Sequence, residues 1–367
     1  MKIVLTGGGT GGHFYPLIAI AEKLKAAAAE QKILDLKLIY FGSRPYDKDA
    51  LFDNGISFEQ VPSGRLNLAE FPKAISGIFA ALWKLYKNYP DVVVGKGGYD
   101  AFPTLFAARI LRIPVLVHES DSVPGRVNLW AGRFAKKVAV SFEEAGTYFP
   151  KDSIAWTSHP IRSETLLPAK EGFFEYFKLD STLPVILVLG GSQGAAAINE
   201  TVLEILPDLV SKYQVIHQVG PKNIEEIKIR AKTIVPEAYK DRYLPMPFLN
   251  QLELKMAAGA AKLVISRAGS MIFEISSWGL PSIMIPLPNA HADHQRHNAF
   301  NYARVGACVV IDESNLKPHI LLQEIENILN SPEKMEEMKK SAALFVKRDA
   351  ALLIAREVIK IALEHEK

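Results

Sequence analysis

The sequence predicts an α/β protein made of two doubly wound, Rossmann-like domains with parallel sheets. Short β-branched runs alternate with helix-length segments, and this alternation is typical of parallel strands covered by helices on both faces. The order strand, glycine-rich loop, helix begins at Ile3 and begins again at Val185. The 367 residues are enough for two domains with separate cores. We expect an N-terminal domain over 1–160 and a C-terminal domain over 161–344, with a helix over 345–367 that packs back on the first domain.

The predicted strands are short apolar runs, and the predicted helices are the longer segments between them. Strands are predicted over 2–6, 37–41, 91–94, 115–118, 137–140, 185–189, 214–218, 262–265 and 282–285. Helices are predicted over 16–30, 71–88, 198–212 and 270–278. In doubly wound sheets the ligand lies at the carboxyl ends of the strands. If the two domains face each other, both glycine loops therefore lie in one central cleft.

Composition and charge exclude several classes of protein. Hydrophobic residues make up 49% of the chain and charged residues 23%, which is typical of a globular protein. No apolar run reaches the roughly 18 residues of a membrane-spanning helix, and we expect no signal peptide before the first strand. The single cysteine, Cys308, fits a reducing compartment, so we expect a cytoplasmic location. A net charge of +3 is too small for a nucleic-acid binder, and no nucleic-acid partner is expected.

The first glycine loop predicts a phosphate site. Gly7, Gly9 and Gly12 match the spacing of a dinucleotide-binding loop, in which backbone N–H groups meet at a helix N-terminus. The second predicted strand ends in Gly42-Ser43 and lacks the acidic residue that would hold a ribose, which argues against NAD. His13 follows directly and puts an imidazole at the rim of the loop.

Two further glycine segments leave alternatives open. The stretch GGSQGA over 190–195 offers backbone amides, the Ser192 hydroxyl and the Gln193 amide to a diphosphate, but a plain tight turn explains it equally well. In the stretch GKGGY, Lys96 is either a surface lysine or a charge that faces the cleft.

Acidic and histidine residues supply candidates for catalysis and sugar binding. Glu119 ends a predicted strand, where it could act as a base, orient one or cap the following turn. Glu274 lies near a predicted helix start and could accept from ribose hydroxyls or complement the helix dipole. The histidines of the stretch HADHQRH do not share one helix face, so we expect no metal there, whereas Gln295 suits a sugar hydroxyl. The triplet Asp47-Lys48-Asp49 is predicted to be an exposed turn or helix start.

The helix predicted over 71–88 carries an apolar stripe. A core-facing helix is the favoured interpretation of most of this stripe. An exposed part that includes Trp83, with lysines nearby, would instead bind an anionic membrane surface. The stripe consists of Phe71, Ile75, Ile78, Phe79, Leu82 and Tyr86.

Seven stretches together resemble the MurG family, whose members add N-acetylglucosamine (GlcNAc) to undecaprenyl-diphosphate-MurNAc-pentapeptide in peptidoglycan synthesis. In chain order they are TGGGTGGHFYP, GKGGYDAFP, HESDSVPGRVN, HPIR, GGSQGA, SRAGSMIFEI and DHQRHNA. The resemblance implies a GT-B fold and an inverting transferase that uses UDP-GlcNAc, needs no cofactor or bound metal, and works at the cytoplasmic face of the membrane. Its implied partners are UDP-GlcNAc, the undecaprenyl-linked MurNAc-peptide and an anionic membrane surface.

The resemblance also implies roles for individual residues. The catalytic residues would be His13 as base, with Glu119 as its partner or rival. The acceptor and membrane would be contacted by Gly9, Tyr99, Ile75, Phe79, Leu82 and Trp83. The residues implied for UDP-GlcNAc are Thr10, Gly11, Gly12, Asn128, Arg162, Ser192, Gln193, Leu249, Gly269, Ser270, Met271, Glu274 and Gln295.

The chain departs from the family's pattern at three places. It has Ser158-His159-Pro160 where the family commonly has Gly-Asn-Pro, and Asp100-Ala101-Phe102 within a stretch that the family writes Tyr-Val-Ser-Gly-Pro. The loop over 266–274 is one residue shorter than usual. The alternative functions are another GT-B lipid glycosyltransferase, a UDP-GlcNAc 2-epimerase, or a non-catalytic sensor that binds a UDP-sugar.

Overall fold

The computed structural model describes residues 1–64, 70–191 and 194–365. The chain divides into two compact units. Unit 1 comprises Met1–Ser163 and Lys347–Lys367, and unit 2 comprises Glu164–Val346. Each unit contains one parallel sheet, so the predicted pair of parallel-sheet domains is confirmed.

Unit 1 is built around a seven-stranded parallel sheet in the order β3-β2-β1-β4-β5-β6-β7. The strands are β1 (Lys2–Thr6), β2 (Lys37–Gly42), β3 (Ile56–Gln60), β4 (Val92–Gly95), β5 (Val115–Glu119), β6 (Lys137–Val140) and β7 (Ile154–Trp156). The helices are α1 (Gly11–Glu30), α2 (Lys48–Asp53), α3 (Phe71–Asn88), α4 (Phe102–Ile110) and α5 (Arg126–Ala131), with 3₁₀ turns at Glu143–Tyr148 and Lys151–Ser153. The central strands are buried on both faces, which explains their continuous apolar sequence.

Unit 2 repeats this architecture with six parallel strands in the order β10-β9-β8-β11-β12-β13. The strands are β8 (Val185–Leu189), β9 (Gln214–Gln218), β10 (Tyr243–Met246), β11 (Ala261–Ser266), β12 (Ser282–Met284) and β13 (Cys308–Val310). The helices are α6 (Phe173–Phe177), α7 (Ala196–Glu204), α8 (Leu206–Lys212), α9 (Ile224–Ile234), α10 (Gln251–Ala260), α11 (Met271–Trp278), α12 (His294–Arg304), α13 (Pro318–Leu329) and α14 (Pro332–Phe345), with 3₁₀ turns at Glu237–Arg242, His291–Asp293 and Glu313–Asn315.

The last helix, α15 (Ala350–His365), belongs to unit 1 and packs along α1. Its buried side chains, among them Ile354 and Val358, join the same apolar core as Leu17 and Leu24 of α1. The guanidinium of Arg356 adds a two-pronged ion pair to the carboxylate of Glu30, with both N–O distances at 2.9 Å. The chain therefore returns to its first unit to close the core.

All nine predicted strands are present, but two of the predicted helices need correction. The first helix starts at Gly11 rather than residue 16, because its opening turns hold the buried Phe14 and the helix accommodates Pro16. The segment predicted as one helix over 198–212 is two helices, since Pro207 begins a new one and cannot continue the first. Asp47 starts α2 by accepting the N–H of Ala50 at 3.0 Å, as predicted for a helix start.

Candidate functional site

The strand order identifies one position in each sheet where a ligand is expected. In unit 1 the order reverses between β1 and β4, so the loops that follow these two strands flank the switch point. They are Gly7–Thr10 and the segment Lys96-Gly97-Gly98. In unit 2 the order reverses between β8 and β11, which are followed by Gly190-Gly191 and by Arg267-Ala268-Gly269. Each predicted glycine element thus lies at a switch point.

The first glycine loop brings backbone close to its neighbours. A Cβ built on Gly8 would lie 2.7 Å from Oδ2 of the buried Asp100, and Gly9 has φ +90°. The loop ends at Thr10, and the 20-residue helix α1 then directs its positive dipole end at the loop. A bare loop at a helix N-terminus is an arrangement that accepts an anion such as a diphosphate.

His13 lies in the first turn of α1, half-buried at the rim of this loop. Its Nδ1 lies 3.0 Å from Oγ1 of Thr10. A Cβ built on Gly98 would lie 3.7 Å from Nε2 of His13, so the ring is oriented between the loops of β1 and β4. If Nδ1–H donates to Thr10, Nε2 is the ring nitrogen that accepts a proton.

Tyrosine hydroxyls surround the glycine loop. The hydroxyl of Tyr99 would be 3.4 Å from a Cβ on Gly9, and the hydroxyl of Tyr46 would be 3.2 Å from a Cβ on Gly11. Both tyrosines are 41% exposed, so their hydroxyls can reach a bound molecule. Tyr99 was expected near the acceptor from the sequence, whereas Tyr46 was not singled out.

Glu119 is almost fully buried and holds the turn that follows β5. Its carboxylate accepts the N–H of Asp121 at 2.9 Å, the N–H of Gly125 at 3.1 Å and Nδ2 of Asn128 at 2.9 Å. Of the roles left open by the sequence, this geometry supports turn capping. Its role as a base stays a prediction, which these three hydrogen bonds do not favour.

Asn128 is also buried, with 3% of its surface exposed. Its Nδ2 donates to Glu119 and to the carbonyl of His118, and its side chain packs on Gly97, where a Cβ would lie 2.8 Å from Oδ1. Oδ1 has no hydrogen-bond partner among the described residues. The expected contact of Asn128 with the donor sugar stays a prediction that would have to use Oδ1.

Beneath these loops lies a buried polar cluster, here called the lysine cluster, and it corrects the prediction for Lys96. Lys96 is not a surface lysine, because 2% of it is exposed and its ammonium donates to Oγ of Ser120. Oγ of Ser120 lies 3.2 Å from Nδ1 of His159. Oγ of Ser141 lies 3.3 Å from the same Nδ1 and 3.2 Å from Nε2 of His118. The lysine cluster consists of Lys96, His118, Ser120, Ser141 and His159.

Arg162 is buried in unit 1, with its guanidinium 3.9 Å from the ring centre of Tyr15. The hydroxyl of Tyr15 donates to Oδ2 of Asp47 at 3.2 Å. Burial, with the Asp47 carboxylate beside it, raises the pKa of Tyr15 to about 12. Tyr15 therefore stays neutral and offers its ring to the cation. The assignment of Arg162 to the nucleotide stays a prediction.

In unit 2 the loop after β8 is described only in part. Ser192 and Gln193, both expected at the phosphates, lie outside the described residues. Gly194 has φ +78°, and a Cβ there would lie 2.2 Å from the carbonyl oxygen of Val219, so only glycine fits. The loop thus needs its glycine for backbone packing, whatever it binds.

Leu249 is held in place by a neighbouring amide. Its backbone N–H donates to Oε1 of Gln218 at 3.1 Å, and Nε2 of Gln218 donates to the carbonyl of Gly191 at 2.9 Å. The predicted contact of Leu249 with uracil through its backbone would therefore use its carbonyl. Gln218, which the sequence did not single out, links the glycine loop to this position.

The loop after β11 approaches the first turn of α12. A Cβ built on Gly269 would lie 4.0 Å from Nε2 of Gln295, whose Oε1 accepts the N–H of Leu287 at 3.0 Å. Arg267 donates to the carbonyls of Ile285 and Pro286, which fixes one segment against the other. Ser270 precedes α11, and Glu274 lies in its first turn. Met271 packs on the apolar cluster that contains Leu249, so the structure gathers these predicted residues in one region of unit 2.

No group of His, Cys, Asp and Glu suited to a metal ion occurs within the described ranges. The histidines of the stretch HADHQRH lie at the start of α12 and in the turn before it. Ala292 and Asp293 both have φ +53°, so this turn has a left-handed backbone.

The structure corrects the favoured interpretation of α3. Its small residues face the core, because Ala74, Gly77 and Ala81 are buried, and a Cβ on Gly77 would lie 1.9 Å from the carbonyl oxygen of Pro62. Leu85 is buried with them, but several large side chains point outward: Phe79 is 68% exposed and Trp83 is 67% exposed. We call this outer surface the α3 face; its other large exposed members are Ile75 and Tyr86.

Two members of the stripe, Ile78 and Leu82, are half-buried, and Leu82 packs against the core. Lys73 and Lys87 are exposed on the same helix, while Lys84 pairs with Glu59 at 3.0 Å. Among the described residues, none of the helices is long and apolar enough to span a membrane.

Comparison with known proteins identifies the family. The glycosyltransferase family 28 N-terminal domain matches residues 3–140, and the C-terminal domain of the same family matches residues 185–354. A Listeria welshimeri protein named UDP-N-acetylglucosamine--N-acetylmuramyl-(pentapeptide) pyrophosphoryl-undecaprenol N-acetylglucosamine transferase is 34% identical over 371 residues, covering 98% of this chain and 99% of that protein. The chain belongs to this transferase family. A Halothermothrix orenii protein of the same name is 35% identical and covers 93% of the chain and 94% of its own length.

Solved structures agree with the family. The crystal structure of Acinetobacter baumannii MurG is similar with a TM-score of 0.75 and 27% identity, covering 98% of this chain and 99% of that one. The predicted membership of the MurG family is therefore confirmed, and with it the GT-B class of fold. A UDP-GlcNAc 2-epimerase from Neisseria meningitidis, bound to UDP-GlcNAc, gives a TM-score of 0.68 at 15% identity, which shows a shared fold alone.

Within this N-acetylglucosamine transferase family, the chain keeps the predicted residues in two groups. His13, Gly9 and Tyr99 surround the α1 N-terminus in unit 1, and Gly269 and Gln295 adjoin each other in unit 2. The assignment of Thr10, Gly11 and Gly12 to the donor stays a prediction. Sequence reasoning did not find the lysine cluster, although Lys96, Ser120 and Ser141 each directly follow a strand, where polar residues face the ligand edge of a sheet.

Proposed function

We propose that this protein transfers GlcNAc from UDP-GlcNAc to the 4-hydroxyl of MurNAc in undecaprenyl-diphosphate-linked MurNAc-peptide, with inversion at the anomeric carbon. The observation that carries the proposal is the near full-length match to N-acetylglucosamine transferases of this substrate, at 34% identity. The site in unit 1 supports it, because a glycine loop suited to a diphosphate carries an imidazole at its rim.

Unit 1 supplies the acceptor side in this proposal. The acceptor diphosphate binds at the N-terminus of α1, where Gly9 and Gly11 admit it and the helix dipole favours its charge. The hydroxyl of Tyr99 donates to it. His13 accepts the proton of the MurNAc hydroxyl at Nε2, while Nδ1–H donates to Thr10 and so fixes the tautomer.

Unit 2 supplies the donor side. Glu274 accepts hydrogen bonds from the ribose hydroxyls, the carbonyl of Leu249 contacts the uracil, and Gln295 contacts the sugar. Ser192 and Gln193 donate to the diphosphate together with the backbone of the loop after β8. The leaving UDP is then stabilised by fixed N–H dipoles, a contribution that needs no bound metal.

The acceptor carries a lipid, so we propose that the α3 face rests on the cytoplasmic surface of the membrane as a peripheral contact. Aromatic side chains exposed beside Lys73 and Lys87 suit an anionic lipid surface, because rings enter the headgroup region while ammonium groups remain at its phosphates.

A transfer assay tests the proposed activity. The protein is incubated with radiolabelled UDP-GlcNAc and an undecaprenyl-type MurNAc-peptide diphosphate, and we expect label in the lipid fraction. A parallel reaction without acceptor measures epimerisation or hydrolysis of the donor. Binding of UDP-GlcNAc without lipid labelling would contradict the proposal and favour the sensor or a different acceptor.

Replacing two aromatic residues of the α3 face should weaken membrane binding. For the double variant Phe79→Ser, Trp83→Ser we expect at least a tenfold loss of affinity for anionic vesicles, since each exposed ring contributes roughly 1.5–3 kcal/mol when fully buried. Co-sedimentation with vesicles of phosphatidylglycerol measures this. Phe52→Ser is the matched control, because Phe52 is 85% exposed on another helix of unit 1. Equal binding by both variants would exclude the α3 face as the contact.

A further inference from the structure

Lys96 carries the positive charge of the lysine cluster. Burial, and then the Lys96 ammonium, lower the pKa of both His118 and His159 well below the usual range, so both imidazoles are neutral near pH 7. Burial also lowers the pKa of Lys96, but the carboxylates of Glu119 and Asp121 oppose this fall. The ammonium donates to the Ser120 hydroxyl, and the nearby carboxylates favour its charged form.

Glu119 directly precedes Ser120, the residue that accepts from the Lys96 ammonium, so its carboxyl group belongs to the same turn. Burial, and then Asp121, raise the pKa of Glu119, whereas Lys96 opposes that rise. Three groups donate hydrogen bonds to the Glu119 carboxyl group, and each of them needs an acceptor there. They are the N–H of Asp121, the N–H of Gly125 and Nδ2 of Asn128. An ionised carboxylate meets this demand, but a protonated one would replace an acceptor position with an O–H donor.

Glu119 connects this charge to the site. Asn128, which it holds, packs directly on Gly97. The next residue, Gly98, faces the ring of His13, with 3.7 Å between its Cβ position and Nε2. A chain of contacts thus runs from Glu119 through Asn128 and the glycine pair to the imidazole.

We propose that Lys96 is a positioning residue for the acceptor site: buried under Ser120 and His159, it keeps Glu119 ionised, and Glu119 in turn fixes Asn128 and the turn over 120–125. The inference rests on the proposed function, because the site it positions is that of the lipid acceptor. With 2% of its surface exposed, Lys96 acts through its neighbours in this proposal. Its effect is electrostatic, since removing one partner of a buried charge pair leaves the other uncompensated.

The pH dependence of acceptor turnover distinguishes this role from simple packing. The titratable groups that act on Glu119 are Asp121 in the same turn and Lys96 after β4, and His118 precedes it on β5. Glu119 works in its ionised form, so activity falls as the pH drops through its pKa. Removing the Lys96 charge raises that pKa further, and the acid limb should move to higher pH.

The first variant is Lys96→Met, which keeps side-chain length without the charge. At pH 7 we expect kcat/KM for the lipid acceptor to fall about tenfold, with KM for UDP-GlcNAc unchanged and the acid limb at higher pH. Lys136→Met is the matched control, because Lys136 is exposed in the same unit. In a Glu119→Gln background the same Lys96 substitution should cost less than about twofold, since no charge remains to be supported. Independent effects of the two substitutions, or an unmoved acid limb, would overturn the proposal.

A second variant keeps the test open if Lys96→Met does not fold. Ser120→Ala retains the ammonium but removes its hydrogen-bond acceptor, which lowers the pKa of Lys96 and should move the basic limb of acceptor kcat/KM to lower pH. A basic limb identical to that of the wild type would also overturn the proposal. A wild-type protein that transfers no GlcNAc would contradict the proposed function instead, so the two failures are distinct.

Discussion

A His13→Ala variant is expected to lose about 10²–10⁴-fold in kcat, the range that general-base catalysis contributes. The imidazole lies at the rim of the loop that admits the acceptor diphosphate, and Thr10 holds its Nδ1 at 3.0 Å. Because proton removal occurs only in the transition state, kcat and kcat/KM should fall together while KM for UDP-GlcNAc stays constant. Steady-state kinetics with both substrates varied measures this.

Two further variants sharpen the test of His13. His319→Ala removes an exposed histidine on α13 and should leave kcat unchanged. Thr10→Val keeps the imidazole but removes the partner of Nδ1, so kcat should fall, by less than in His13→Ala, because the ring loses its fixed tautomer. Full turnover by His13→Ala with intact binding of both substrates would exclude His13 as the base.

The strands predicted from the sequence are the interior strands of the two sheets. The strands that the sequence did not predict differ from them in burial. The four strands without a prediction, β3, β7, β10 and β13, are the two edges of each sheet. Interior strands of a parallel sheet are covered on both faces and so consist of continuous apolar residues. Edge strands are short and partly exposed, as in Ile56–Gln60, where only Ile56 is buried, so their sequence resembles that of a loop.

In the candidate site, too, some features follow from the local sequence and others depend on contacts between distant residues. Sequence alone predicts His13, Glu119 and Glu274 as site residues, because they end a strand or begin a helix in a pattern fixed by the chain itself. It could not reveal that Lys96 is buried, since this depends on Ser120 and His159, which come from two other strands. Contacts between residues distant in sequence leave no local pattern.

The α3 face is a case in which local pattern gave a wrong orientation. The hydrophobic stripe predicted a core-facing helix, but the helix approaches its neighbours through Ala74, Gly77 and Ala81. Small residues allow close backbone contact, as shown by the 1.9 Å between a Cβ position on Gly77 and the carbonyl oxygen of Pro62. Close packing therefore placed the smallest residues inside and left Phe79 and Trp83 outside, where the proposed membrane contact needs them.

A Glu274→Gln variant should raise KM for UDP-GlcNAc by about 10–100-fold, which corresponds to the 1.5–3 kcal/mol of hydrogen bonds to a charged group. The carboxylate lies in the first turn of α11, beside the loop that brings Gly269 to Gln295, and it can accept from both hydroxyls of a ribose. The amide replaces one acceptor with a donor, so one hydroxyl loses its partner while the side chain keeps its size.

Calorimetric titration with UDP measures this loss of affinity in the absence of the lipid acceptor. Glu333→Gln is the matched control, because Glu333 also lies in the first turn of a helix, α14, and is exposed. Since both acids lie in the first turn of a helix, a loss of UDP affinity confined to Glu274→Gln would assign that acid to the nucleotide, and equal affinity of the two variants would leave it only the interaction with the helix dipole.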